Sequence, residues 1–221
     1  MQSKKNTNKG LKLIELTQLL LFIGAAFLLC LAPGPDNIYV LTQGMTKSKK
    51  AAIITTLGLC SGLIIHTSAA ALGISVIFKT SELAFNIVKY AGAAYLLYIG
   101  YQAFKYRNLP LDLSVENSSS QLKKLFVKGF IMNILNPKVS IFFLAFLPQF
   151  VNTQTGNVPM QMITLGIIFM IMTVIVFSGI GIAANVLSSR LQSNPKIVKY
   201  MNIMTSTVLV GLGIKLALSQ R

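Results

Sequence analysis

Acidic residues are scarce in this sequence. Its 221 residues include 5 Asp and Glu against 20 Lys and Arg, together with one His, two Cys and no Trp. Catalytic nucleophile–base pairs and metal-ligand clusters are built mainly from His, Cys, Asp and Glu side chains, and the sequence contains no such motif. It therefore predicts a protein that is not an enzyme and that requires no metal or other cofactor.

Charged residues of both signs together are also few, whereas apolar residues are abundant. Only 11% of the residues are charged and 53% are hydrophobic, and the mean hydropathy is +0.66. Soluble domains carry far more charge, and several segments here reach the roughly 20 apolar residues that cross a bilayer. We expect an all-α integral membrane protein with about six transmembrane helices, in the segments 16–41, 51–78, 83–104, 125–151, 158–187 and 197–218.

A polar stretch divides these segments into two groups of three. It predicts an N-terminal unit at residues 1–104, a linker at 105–124 and a C-terminal unit at 125–221. The first and fourth segments correspond in LCLAPGPDNIYVL and MNILNPKVSIFFL, and the second and fifth in TTLGL and ITLGI. Because three is an odd number of spans, the second unit is predicted to be inverted in the membrane relative to the first.

Prolines near the middle of the first and fourth segments predict broken helices. Pro33, Gly34 and Pro35 interrupt the first segment, and Pro137 interrupts the fourth. Proline has no N–H, so backbone carbonyls lose their helical partners, and hydrocarbon supplies no replacement. Packing against protein would satisfy a single kink. Paired breaks at corresponding positions are instead typical of a transporter's substrate site, and we expect these residues to line one.

Opposite charges directly follow the prolines. Asp36 is the only acid at membrane depth, and Lys138 occupies the equivalent position after Pro137. An amino acid carries the complementary pair, with an ammonium for Asp36 and a carboxylate for Lys138. Two other interpretations stay open: Asp36 could cap the half-helix that follows Pro35, or the two charges could form a salt bridge between the halves.

Polar side chains flank both breaks. Asn37 and Tyr39 follow the first break, and Asn133 and Asn136 precede Pro137. Amide and phenol groups at these positions are candidate polar contacts for a substrate.

The single histidine shares a helix face with small residues. Gly58, Gly62, His66 and Ala70 are spaced by four, so this face is expected to pack closely against a neighbouring helix. We interpret Gly58 and Gly62 as helix-packing residues. His66 is a candidate for proton coupling, beside Asp36, although a packed and hydrogen-bonded histidine explains the position equally simply.

The net charge of +15 does not predict binding to nucleic acid, because the basic residues cluster in the turns between apolar segments. An excess of Lys and Arg marks cytoplasmic turns. The counts place the 105–124 linker in the cytoplasm and the C-terminus outside. Lysines before residue 13 contradict this pattern if segment 16–41 spans the membrane, so that segment either crosses or bends back.

Four stretches together resemble the LysE/RhtB family of amino-acid exporters, most closely its homoserine/threonine-exporter-like branch. They are APGPDNIYVL, LGLCSGLIIHTSAAALGI, AGAAYLLYIGYQAFK and GFIMNILNPKVSIFFLAFLPQFV. The resemblance implies efflux of an amino acid or close derivative, driven by the proton gradient. We expect a multi-pass protein of the cytoplasmic membrane of a bacterium, whose partners are the substrate and the lipid bilayer; a homodimer is compatible with this assignment.

Two functions of other classes remain open from the residues alone. Cys30, three positions before Pro33, would suit a membrane thiol–disulfide electron conduit, although the second half has no cysteine. Export of an inorganic cation is the other, and it would require more acid or thiolate ligands near the midplane than Asp36, Cys30 and Cys60 supply.

Overall fold

The computed structural model describes residues 14–74, 82–108, 122–152, 157–186 and 195–218. Every regular element in these ranges is helical. The predicted all-α class is therefore confirmed. The α-helices are α1 Leu16–Leu31, α2 Pro35–Thr46, α3 Lys49–Ala69, α4 Glu82–Lys105, α5 Leu122–Ile134, α6 Pro137–Ile141, α7 Val158–Val186 and α8 Pro195–Leu218.

Three irregular turns extend these helices. A π-helical turn, Ala70–Ile74, continues α3, and α6 continues through a π-helical turn, Phe142–Phe146, into a 3-10 turn, Leu147–Phe150. The lysine-rich N-terminus before residue 14 and positions 109–121 of the predicted linker lie outside the described residues.

Both breaks occur at the prolines. The axes of α1 and α2 differ by 58°, and those of α5 and the α6 extension differ by 49°. Pro35 and Pro137 occupy the first turn of the helix that follows each break. This is where a proline is tolerated, because the first N–H groups of a helix have no intrahelical partner.

Length and composition qualify two of the described helices as membrane spans, Lys49–Gly73 and Val158–Val186. The number rises to four if each bent pair is one span, and α8 adds a shorter apolar stretch, Asn202–Leu218. The structure thus supports a membrane protein with two to four candidate spans in its described part, and six spans stay a prediction.

Helices α3 and α7 form the centre of the packing. Helix α3 packs against α5 and α7, α7 also packs against α1 and α2, and α4 pairs with α8. Glycines permit the closest approaches. A Cβ on Gly58 would collide with the Phe126 carbonyl of α5, and one on Gly129 would lie 2.7 Å from the Thr55 oxygen of α3.

Aromatic rings fill the space behind the second break. Phe142 in the α6 extension lies 6.2 Å from Phe22 of α1, 5.2 Å from Phe146 and 5.1 Å from Phe169 of α7, between ring centroids. These rings are almost fully buried. They fix the α6 extension between α1 and α7 and so position the break at Pro137.

Candidate functional site at the two helix breaks

A small cavity lies where the two breaks meet. Its free space is about that of one water molecule. Both breaks, α3 and α7 contribute to its wall, which consists of Leu29, Cys30, Asp36, Asn37, Leu63, Asn133, Lys138, Val139, Phe169, Thr173 and Phe177.

Asp36 presents a carboxylate to this cavity in the first turn of α2. The side chain is 2% exposed, and Asn133 Nδ2 donates a hydrogen bond of 2.9 Å to Oδ2. The other oxygen, Oδ1, is buried and has no hydrogen-bond partner. The amide nitrogen of Asn136, Nδ2, is likewise buried and makes no hydrogen bond. A buried, half-satisfied carboxylate is costly unless a cation or donor completes it.

Lys138 reaches across from the second break to the first. Its Nζ donates to the Ala32 oxygen at 2.8 Å and to the Leu29 oxygen at 3.3 Å. The Leu29 carbonyl is four residues before Pro33, which has no N–H to offer it. Lys138 therefore satisfies a carbonyl that the proline leaves free, at the C-terminal end of α1 where a positive charge is also favoured.

Lys138 and Asp36 do not form an ion pair, although both line the cavity. The interpretation of a salt bridge between the halves is therefore wrong for this structure. The lysine is held by carbonyl groups, and the aspartate by Asn133.

Two further carbonyls at the breaks also accept hydrogen bonds from side chains. Asn37 Nδ2 donates to the Cys30 oxygen. The Asn133 carbonyl is four residues before Pro137, and it accepts from His66 Nε2 and from the Asn136 N–H, each at 3.0 Å. His66 thus supplies the donor that Pro137 lacks, and its Nε2 carries the hydrogen.

Helix capping differs between the breaks. Asn136 is the N-cap of α6, and its Oδ1 accepts from the Lys138 N–H at 3.0 Å. The N-cap of α2 is Gly34, and no side chain caps that helix. Asp36 accepts from Asn133 through Oδ2, and Oδ1 accepts no hydrogen bond, so the carboxylate bonds to no N–H of α2. The interpretation of Asp36 as a helix cap is therefore wrong.

Several predicted residues lie beside the cavity but not in its wall. Pro35 and Pro137 are exposed, while a Cβ on Gly34 would lie 3.1 Å from Lys138 Nζ. The Tyr39 ring lies 5.2 Å from Lys128 Nζ and does not line the cavity.

The glycine face of α3 packs on α5. A Cβ on Gly62 would lie 2.7 Å from Asn133 Oδ1, and one on Gly58 would meet the α5 backbone. These glycines are helix contacts that also leave room for the Asn133 side chain.

The α7 wall of the cavity was missed by reasoning from the sequence. Phe169, Thr173 and Phe177 are spaced by four and line one face. Cys30 Sγ lies 3.6 Å from Thr173 Oγ1. The spacing by four shows that these three residues share a helix face. Because α7 is apolar around its whole circumference, the sequence pattern does not distinguish this face from the others.

The two cysteines contact different residues. The Cys30 thiol contacts the Thr173 hydroxyl, whereas Cys60 Sγ donates to the Met170 carbonyl at 3.6 Å. Neither cysteine forms a disulfide. Within the described residues, no group of three or more His, Cys, Asp or Glu side chains could hold a metal ion.

Three known membrane or efflux proteins are similar to this chain over most of its length. An uncharacterized membrane protein, YrhP, of Bacillus subtilis is 32% identical over 212 residues, covering 91% of this chain and 99% of YrhP. The homoserine/homoserine lactone efflux protein of Salmonella typhimurium is 30% identical, covering 86% of this chain and 91% of its own. The leucine efflux protein of Klebsiella pneumoniae is 29% identical, covering 93% and 96%.

Solved structures add nothing to this comparison, since none of them matches the chain. The profile of the LysE type translocator family, in contrast, matches residues 27–220, which include both breaks and every residue of the cavity wall. The chain belongs to the LysE family.

Proposed function

We propose that the protein exports an amino acid or a close derivative from the cytoplasm in exchange for protons, and that the cavity between the breaks is its binding site. One observation carries the proposal. The buried carboxylate of Asp36 has an oxygen that accepts no hydrogen bond, and Asp36 and Lys138 line the same cavity. The efflux functions in the names of two relatives agree with it.

Recognition of the substrate uses both charges. The substrate ammonium binds Asp36 Oδ1, while Asn133 continues to hold Oδ2. The substrate carboxylate binds Lys138 and the N–H groups at the start of the half-helices. The bound state then contains two cations and two anions, so no buried charge lacks a partner.

Binding requires the breaks to move apart. The cavity has space for about one water molecule, which is less than any amino acid needs. Lys138 would exchange the Ala32 and Leu29 carbonyls for the substrate carboxylate, and this exchange releases α1 from α6. Substrate binding is thereby coupled to relative movement of the two broken helices.

Exchange with protons is the proposed coupling, and Asp36 supports it as the carboxylate of the cavity wall. Asp36 Oδ1 can hold either a proton or an ammonium, so each excludes the other, as an antiporter requires. Of the two proton candidates, Asp36 is better supported than His66, because Asp36 lines the cavity and His66 is not part of its wall.

The architecture that goes with this function is six spans in two inverted three-helix units, in the cytoplasmic membrane of a bacterium. Paired proline breaks support it. So does the packing, in which α3 contacts α5 while α7 contacts α1 and α2, as two related halves would. The lysine distribution supports a cytoplasmic linker. The unit boundaries and a homodimer stay predictions.

The test is amino-acid efflux from loaded vesicles with an imposed proton gradient. Asp36→Asn should lower efflux at least about tenfold, since a hydrogen bond to a charged group contributes roughly 1.5–3 kcal/mol. Glu15→Gln is the matched control, because Glu15 is an exposed acid at the start of α1.

Two results would contradict the proposal. Full efflux by Asp36→Asn at equal protein level would remove the ammonium-binding role. Efflux that is indifferent to the sign of the proton gradient would remove proton exchange, while leaving export itself intact.

A further inference from the structure

The α7 face of the cavity has no role in the proposed recognition of ammonium and carboxylate. Phe169, Thr173 and Phe177 are 3%, 2% and 5% exposed, and they form the part of the cavity wall that α7 contributes. With Leu63 and Val139 they form an apolar surface. An amino acid held by its charged groups at the breaks would direct its side chain onto this surface.

Charge balance limits which side chain this surface accepts. Asp36 and Lys138 are the charged residues of the cavity wall, and both are used by the backbone groups of the substrate. A basic substrate would bring two cations to one carboxylate. An acidic substrate would bring two carboxylates to one lysine. Either would leave a buried charge without a partner, which is strongly unfavourable.

Thr173 is the polar group on this apolar surface. Its hydroxyl has the Cys30 thiol as partner at 3.6 Å, and a thiol is a weak donor and a weak acceptor. A hydroxyl on the substrate would make a shorter and stronger hydrogen bond with Thr173. The thiol–hydroxyl pair is therefore easily displaced, whereas Phe169 and Phe177 on either side favour apolar atoms.

We infer that the cavity selects an amino acid with an uncharged side chain, and that Thr173 is the residue that admits a side-chain hydroxyl. The inference rests on the proposed export function and specifies its substrate class. Leucine represents the apolar side chains and homoserine the hydroxyl-bearing ones, and lysine and glutamate represent the excluded charged ones.

The experiment loads vesicles with an equimolar mixture of these four amino acids and measures the efflux of each. The wild-type protein should release leucine and homoserine at least about tenfold faster than lysine and glutamate. Thr173→Val, which keeps the volume and removes the hydroxyl, should lower the homoserine-to-leucine ratio about three- to tenfold. Thr164→Val on the same helix is the control, because that hydroxyl bonds to its own helix at Met160.

A second pair of variants protects the test from misfolding. Thr173→Ser keeps the hydroxyl and should keep the wild-type ratio, whereas Thr173→Ala should lower it. Comparable release of lysine or glutamate would overturn the substrate class. An unchanged ratio in Thr173→Val and Thr173→Ala, with leucine efflux retained, would overturn the role of Thr173. Release of no amino acid by the wild type would instead overturn the proposed function itself, together with the inference.

Discussion

The two helix breaks share proline chemistry but satisfy their free carbonyls differently. At the first break, the Leu29 and Ala32 carbonyls of α1 are bonded by Lys138 from the other half of the chain. At the second, the Asn133 carbonyl is bonded by its neighbour Asn136 and by His66 from α3, while the Asn136 side chain caps α6 locally. The first break therefore depends on the second half, and the second is largely self-supporting.

The half-helices after the breaks differ as well. Helix α2 is regular over its 12 residues. Helix α6 is regular for only 5 residues and continues through a π-helical and a 3-10 turn. Departures from α-helical bonding are common at functional sites. This asymmetry agrees with the proposed mechanism, in which α2 presents a fixed carboxylate and the lysine of α6 exchanges its partners.

The largest effect is expected from Lys138→Met, because it tests the dependence of the first break on the second half. The change leaves the Ala32 and Leu29 carbonyls without their buried donor, and each unsatisfied group costs about 1–3 kcal/mol. We expect a loss of about 2 kcal/mol or more in unfolding free energy, measured by thermal unfolding in detergent. Lys124→Met, at an exposed lysine of α5, is the control and should change little.

The double variant Asp36→Asn with Lys138→Met sharpens the same point. Since the two groups form no ion pair, removing both charges should not recover what Lys138→Met loses. Recovery of stability or efflux in the double variant would mean that the charges pair in another conformation, and the assignment of Lys138 to the α1 carbonyls would then be incomplete.

The sequence predicts the two helix breaks and the charged residue after each. It does not predict which hydrogen bonds join one break to the other. Pro33, Pro35 and Pro137 announce the breaks because proline lacks an N–H, and this is a local property. Which carbonyl Lys138 bonds is decided by how the halves face each other. The interpretations of a salt bridge and of a cap by Asp36 failed for this reason, since both assumed the nearest plausible partner.

The cavity wall on α7 illustrates the other limit. The buried face of an amphipathic helix can be recognised from the spacing of its apolar residues. Helix α7 is apolar on all sides, so the sequence does not separate its lipid-facing residues from its cavity-facing ones. Thr173 is one of several hydroxyl residues in apolar helices of this chain. Its place in the cavity wall, in contact with Cys30, distinguishes it.

A smaller effect is expected from Gly62→Ala, which tests the support of the second break by α3. The new Cβ would lie 2.7 Å from Asn133 Oδ1 and 2.9 Å from the Asn133 Cβ. Overpacking of this kind costs typically 1–3 kcal/mol. The Asn133 side chain would have to shift away from Asp36, so efflux should fall together with stability.

The control for Gly62→Ala is Gly24→Ala in α1, where a Cβ would meet nothing within 4 Å. Alanine is the better helix former, so this control should be neutral or slightly stabilising. Equal behaviour of the two variants would mean that α3 does not constrain Asn133, and the positioning of Asp36 through Asn133 would have to be abandoned.

The smallest effect is expected from His66→Phe, and it separates a structural histidine from a proton carrier. His66 Nε2 donates to the Asn133 carbonyl, but the Asn136 N–H bonds to the same oxygen, so that carbonyl keeps one donor. We expect a loss of about 0.5–1.5 kcal/mol in unfolding free energy, the contribution of one typical hydrogen bond. The ring of Phe fits a site where His66 already lies 5.8 Å from the Phe143 ring.

Because Asp36 is the proposed proton carrier, the pH dependence of efflux should keep its shape in His66→Phe, with at most a uniform decrease in rate. The measurement is efflux across a pH series in vesicles at matched protein level, with His66→Gln as a companion that retains a donor. If the pH profile of efflux is displaced in both His66→Phe and His66→Gln, the proton step belongs to His66. Asp36 would then bind the substrate ammonium but carry no proton.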